Sequence, residues 1–213
     1  MTWLALDTST DLATVALKHE GRIYQRQLQG VATHAQSILP MVDELLKAAD
    51  VKLAMLQGII VGKGPGSFTG LRVASAVVKG LAIVHEIPVY PISTLLIMAW
   101  QAHSYPVLAV MDARMQQVYW AYYVNQEDRP MEQVSFLSEV MVPEINTTLV
   151  TYQIDEYHDK MPKALAVLKR LEKRPDAIAM IEMVEANLIE AMDASALEPH
   201  YVRDQVTQGG KNG

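Results

Sequence analysis

Residues 62 to 82 read GKGPGSFTGLRVASAVVKGLA, and the first nine of them hold four glycines and a proline before helical spacing begins. Such a corner is either a cradle for phosphate or a device for close packing. The phosphate templates fail. Gly62, Gly64 and Gly66 are two apart, the third glycine of G-x-G-x-x-G falls on Ser67, and no Gly-Lys-Ser/Thr follows as a Walker loop requires. Pro65 and Thr69 likewise spoil a G-x-S-x-G elbow around Ser67. A helix N-terminus still attracts anions through its free N–H groups, which makes Ser67 and Thr69 candidate anion contacts as well as candidate caps. Behind the corner, Gly70 and Ala74 stand one turn apart, as do Ala76 and Gly80, and Val73, Val77, Leu81 and Val84 form an apolar row beside them. Glycine inside a helix costs about 1 kcal/mol relative to alanine, so two of them imply a close approach that repays the loss. Burial within one domain and packing against a second chain both satisfy that pattern.

Upstream, TWLALDTS, LATVALKH and RIYQRQL are short β-rich runs separated by turn residues, which predicts an antiparallel meander. Thr33 and Gln36 have capping-box spacing, and Ile38, Met41, Val42, Leu45, Leu46 and Ala49 recur at helical intervals, predicting a helix over about 34–49. Pro40 lies inside it and predicts a kink or a start near Leu39. Downstream, QGIIVGKG and IPVYPI read as strands, and the stretches from Ser67 to His85 and from Ser93 to His103 as helices. PVLAVMDARMQQVYWAYYV then repeats the opening: an apolar strand ending in Asp112, a polar turn and a second strand, as the first strand ends in Asp7. Two related halves follow, 1–104 and 105–207, with a polar tail at 208–213. Beyond residue 125 the signal weakens. MEQVSFL reads as a strand, 144–162 has no period, and Ile178, Ile181, Val184, Leu188 and Met192 mark one helical face, with Glu182 and Glu185 on a solvated opposite face.

The chain has 213 residues, half of them apolar, and a formal charge of −6. No run of Lys or Arg exceeds two residues, which argues against autonomous nucleic-acid binding. The absence of cysteine removes thiolate chemistry and Cys-type zinc sites. The opening residues lack the basic region of a signal peptide, and no apolar run reaches the length of a membrane span, so a cytoplasmic location is expected. The six histidines present no pair three or four apart, and HEIPV at His85 is not H-E-x-x-H. Asp7 and Asp112 are the acids whose placement at strand ends suggests chemistry: facing each other across a cleft they would hold Mg²⁺ and a nucleotide, and otherwise they cap the turns that follow.

LALDTST, the glycine-corner string, MDARMQQVYWAYY and EPHYVRDQV resemble, in that order, the bacterial TsaB (YeaZ) family, over residues 1 to about 125 and again from 198 to about 207. The resemblance implies an α/β fold of actin-like, Hsp70-type (ribonuclease H-like) architecture with two duplicated subdomains, mixed sheets and flanking helices. It implies a non-catalytic scaffold that binds and activates the TsaD transferase as threonylcarbamoyladenosine forms beside the anticodon of tRNA. TsaE joins a larger complex, and the chain self-associates when TsaD is absent. The helices near 34–49 and 67–85 become the docking surface, with Leu39, Val42, Leu46, Gly70, Val73, Ala74, Val77 and Leu81 as contacts. The catalytic paralogue's H-x-x-x-H metal pair falls on Thr94 and Met98, so no metal and no catalytic residue is expected. Asp7, Ser9, Ser67, Thr69 and Asp112 stand as candidate anion or nucleotide contacts. The glycine-free turn DTSTD argues against a nucleotide on the isolated chain and leaves one at the partner interface open. A Gly-Thr-Gly segment usual in the family is missing between 145 and 175. The competing readings are an ATP-binding transferase or hydrolase using Asp7 and Asp112 and, ranked last, a metalloprotease-like protein.

Overall fold

The computed structural model describes residues 1–30, 34–141 and 146–203. In the first half, β1 (Thr2–Asp7), β2 (Leu12–His19) and β3 (Arg22–Gln29) form the expected meander, and β4 (Gly58–Gly64) and β5 (Val89–Ser93) extend it in parallel. The sheet order is β3-β2-β1-β4-β5. In the second half, β6 (Val107–Asp112), β7 (Gln117–Tyr123) and β8 (Gln133–Phe136) form another meander, and β9 (Thr148–Tyr152) and β10 (Lys169–Glu172) add in parallel beyond β6. Read from the meander edge, β8-β7-β6-β9-β10 repeats the first sheet strand for strand. This is the duplicated, mixed-sheet α/β architecture expected from the sequence.

Alternation along the central strands sets the layers. Leu4 and Leu6 of β1 face α1 (His34–Ala48) and α2 (Phe68–Ile83), while Trp3 and Ala5 face the other way. Val107, Ala109 and Met111 of β6 share that second core with Trp3 and Ala5, and Leu108 and Val110 face an outer core around Ile154, Leu165 and Leu168. The shared core between the sheets is filled by α3 (Thr94–Trp100) and α5 (Ala177–Glu185). Each crosses over: α3 packs mainly on β6 and its neighbours, and α5 on β1 and its neighbours. A fourth-helix segment, α4 (Lys163–Ala166), is a single turn on the outer side of the second sheet.

Helix α1 spans His34–Ala48, as the spacing predicts; of the two outcomes expected of Pro40 the start near Leu39 is corrected, because Ile38, Met41, Val42 and Leu45 bury a continuous stripe that outweighs one lost backbone bond. Thr33, the proposed cap, lies outside the described residues. The last helix stops at Glu185 and does not reach Met192. Asn187 adopts φ 57°, its N–H donates to Val184 O, and the Leu188 N–H donates to Met183 O, which is a Schellman stop. Glu182 and Glu185 are also more engaged than a solvated face implies: Glu185 pairs with Lys18 at 2.6 Å, and Glu182 accepts from Trp100 Nε1.

Candidate functional site

The glycine corner is closed around the chain's own β1–β2 turn. Asp7 is fully buried, and its Oδ1 accepts from both the backbone N–H (3.0 Å) and the hydroxyl (2.7 Å) of Ser9. A Cβ on Gly62 would sit 1.7 Å from Asp7 Oδ2, so only glycine leaves room for that carboxylate. A Cβ on Gly70 would sit 1.8 Å from the carbonyl oxygen of Thr8, and one on Gly66 would strike Ser9. The turn is then stitched to the helix: Ser67 N–H donates to Ser9 O at 2.7 Å, and the Thr8 hydroxyl donates to Gly70 O at 2.7 Å. Ser67 caps α2 by accepting from the Gly70 N–H. At the start of the helix the Ser67 N–H is thus taken by Ser9 O and the Gly70 N–H by Ser67 Oγ, which removes two of the donors an anion would use there. Burial raises the Asp7 carboxyl to about 6, opposed by its two bonds from Ser9 and reinforced by the charge of Asp176.

The equivalent Asp112 is placed differently. It lines a cleft of about 440 Å³ between the halves, together with Ser9, Ser67, Phe68, Tyr119 and Arg203. Its Oδ1 accepts from the Arg114 N–H (2.8 Å) and the Tyr157 hydroxyl (2.6 Å), and Arg114 Nη1 lies 3.3 Å from Oδ2. Burial and the bond to Asp112 raise the Tyr157 hydroxyl to about 12. Across the cleft, Tyr152 donates to Asp11 Oδ1 at 2.6 Å. Burial draws the Asp11 carboxyl upward, but the bonds from Tyr152, Gln153 and Gln29 together leave it below its ordinary value. The expected pairing of two strand-end aspartates across one cleft is corrected: Asp112 lines it, and Asp7 is sealed beneath Gly62. Ser9 and Ser67 reach the cleft wall already bonded to each other's segments, and Thr69 is exposed outside it.

Helices α1 and α2 lie side by side on the first sheet. Their outward residues are Leu39, 50% exposed, with Ile83 and Val84, 74% and 69% exposed, at the end of α2. Leu46, Val73, Val77 and Leu81 are half-buried against the core below. The small residues that open outward are Ala76 and Gly80, and nothing lies within 4 Å of where a Gly80 Cβ would be. Gly70 and Ala74 point inward, as does Val42 at 2% exposure, so these three are corrected from surface contacts to interior packing. Thr94 and Met98, at the positions of the paralogue's metal pair, are both fully buried in the core between the sheets.

Residues 23–166 match the family model described as TsaD, tRNA N6-adenosine threonylcarbamoyltransferase. The tRNA threonylcarbamoyladenosine biosynthesis protein TsaB of Haemophilus influenzae is 31% identical over 97% of this chain and 95% of its own length. The chain belongs to the TsaB family. The Escherichia coli protein of the same name is 40% identical over 59% of this chain and 56% of its own. A Pseudomonas aeruginosa structure described as YeaZ superposes with TM-score 0.82 at 36% identity, covering 94% of this chain and 99% of that one. A second, described as an uncharacterized protein with similarity to peptidase YEAZ, gives TM-score 0.83 at 34% identity over 95% and 99%. The aligned region with the Haemophilus relative spans 232 positions, more than the chain's 213 residues, so that relative carries segments this chain lacks. Among the described residues no helix is long and apolar enough to cross a membrane.

Sequence reasoning missed one cluster at the C-terminal end of β5. Ser93 donates to Glu132 Oε1, His200 Nε2 stands 3.1 Å from Glu132 Oε2, and Lys63 lines the same pocket. Four separated segments meet there, and no local spacing announces it.

Proposed function

We propose that the chain is a non-catalytic cytoplasmic subunit that binds the TsaD transferase and supports its work in forming threonylcarbamoyladenosine in tRNA. The observation that carries this reading is the outward face of α1 and α2. Leu39 of α1 and Ile83 and Val84 at the end of α2 are exposed, and α2 also presents exposed Ala76 and Gly80 with half-buried Val73 and Val77. A partner helix gains apolar area there at roughly 25 cal/mol per Å², and a stable complex buries about 800 Å² on each side. The β1–β2 turn packed against α2 and the buried Thr94 and Met98, poor metal ligands where the resemblance puts the paralogue's histidine pair, support the non-catalytic part. On this reading TsaE completes a larger assembly, the isolated chain holds no cofactor while the partner interface leaves room for a nucleotide, and the same face pairs two copies when TsaD is absent.

Light scattering of the chain mixed with TsaD tests the reading. A one-to-one complex is expected, lost on Gly80→Arg and on Leu39→Glu while the circular dichroism of each variant stays that of the folded chain. A mixture that runs as separate species, or variants that bind as the wild type does, contradicts it. The ATP-dependent enzyme is favoured by one feature, the 440 Å³ cleft beside Asp112, and it predicts nucleotide binding by the chain alone.

A further inference from the structure

A second pocket of about 400 Å³ opens where the C-terminal ends of β4 and β5 meet the segment after β7. Leu96, Tyr123, Pro130, Met131 and Val202 give it a mainly apolar wall. Its polar groups are few and distinct. Glu132 has a side chain 8% exposed, and its Oε1 is held by the Ser93 hydroxyl. The buried Oε2 has no hydrogen-bond partner: His200 Nε2 is within ion-pair distance at 3.1 Å but without hydrogen-bond geometry, and the His200 side chain is 45% exposed at the mouth. Lys63 lines the same pocket, and among the described residues its ammonium has neither a hydrogen bond nor an ion pair. Arg129, also in the wall, donates from Nη1 to the carbonyls of Gln126 and Asp128 and from Nη2 to that of Leu188, and among the described residues it makes no ion pair.

A buried carboxylate oxygen without a donor is costly and selects a ligand that brings one. Unneutralised cations in the same enclosure select an anion. An apolar wall with a few convergent polar groups is the ordinary make-up of a small-molecule site, and the volume is in the usual range. We propose that this pocket binds a small aminocarboxylate with an apolar side chain: its ammonium donates to Glu132 Oε2 in place of the His200 ring, its carboxylate faces Lys63 and Arg129, and its side chain lies against Leu96 and Met131. None of the residues lining the pocket belongs to the outward face of α1 and α2, so the proposal stands independently of the docking function.

The test is calorimetric titration of the full chain with L-leucine, 4-methylpentanoate and 3-methylbutylamine, the last two being leucine without its ammonium and without its carboxylate. Leucine is expected to bind at least tenfold more tightly than either fragment. Glu132→Gln keeps the acceptor for Ser93 and is expected to weaken leucine at least tenfold; Lys63→Met, at a half-exposed position, is expected to weaken leucine and 4-methylpentanoate alike. Thermal melts of both variants confirm folding. No leucine binding at 10 mM overturns the assignment. So does equal binding of leucine and 4-methylpentanoate, which marks a plain carboxylate site, and so does wild-type affinity in folded Glu132→Gln.

Discussion

The two halves carry the same strand order and end their first strands on Asp7 and Asp112, yet the turns that follow have opposite fates. The first turn is covered by α2. Gly62 and Gly70 are shaped to its side chain and carbonyl, and Ser67 and Thr8 tie the helix to it. The second turn has no long helix beyond it, since its counterpart α4 is a single turn, and it stays open to the cleft with Met115 80% exposed. It also holds Arg114, Met115 and Gln116 at φ between 54° and 63°, a left-handed run without glycine. A duplicated fold can thus close one site and keep the other open by the length of one helix and the placement of two glycines. The closed half keeps Leu39, Ile83 and Val84 of its outer helices exposed.

The largest effect that would break this contrast is Gly70→Ala. If the turn is packed as described, the added methyl meets a backbone carbonyl that cannot swing away, and chemical denaturation shows a loss of at least about 3 kcal/mol. A loss under 1 kcal/mol would mean that turn and helix are not in contact. Next comes the pH response of Asp7. Its folded pKa of about 6 lies above the unfolded value of 3.8, so the folded chain holds the proton more tightly. Stability from this group is greatest below pH 4 and falls as pH rises through 6, by about 3 kcal/mol. The stability difference between Asp7→Asn and wild type therefore shifts by most of that amount in the variant's favour between pH 4 and 7.5. An equal difference at both pH values contradicts burial of the carboxyl.

Smaller effects sharpen both sides of the contrast. Met115→Gly relieves a left-handed residue and is expected to raise stability by about 1 kcal/mol in thermal melts, whereas a decrease would show that the Met115 side chain itself holds the turn. Gly80→Ala fills empty space on an exposed helix and is expected to add about 0.5–1 kcal/mol, the opposite sign to Gly70→Ala within one helix.

Much of the fold was legible where local patterns were strong. The strands before Asp7 and Asp112, the Ser67 cap and the alternation after Gly58 all follow from spacing and turn chemistry. The second half was harder because β9 and β10 are only five and four residues long, too short for a period to emerge, and β10 (KRLE) is mostly polar. The end of α5 was hidden by Leu188 and Met192, which continue its apolar spacing by chance while serving elsewhere; Met192 exchanges backbone bonds with Val89. Asn187 was the available stop signal. The candidate site divided the same way. Periodicity located the small residues of α2, but Gly70 and Gly80 look alike in sequence. Which side each faces is set by the β1–β2 turn, sixty residues away.

The most direct measurement is calorimetric titration of the isolated chain with ATP and Mg²⁺. If the chain is a platform, it gives no binding heat at millimolar nucleotide, whereas stoichiometric binding abolished by Asp112→Ala would contradict that reading and favour the ATP-dependent one.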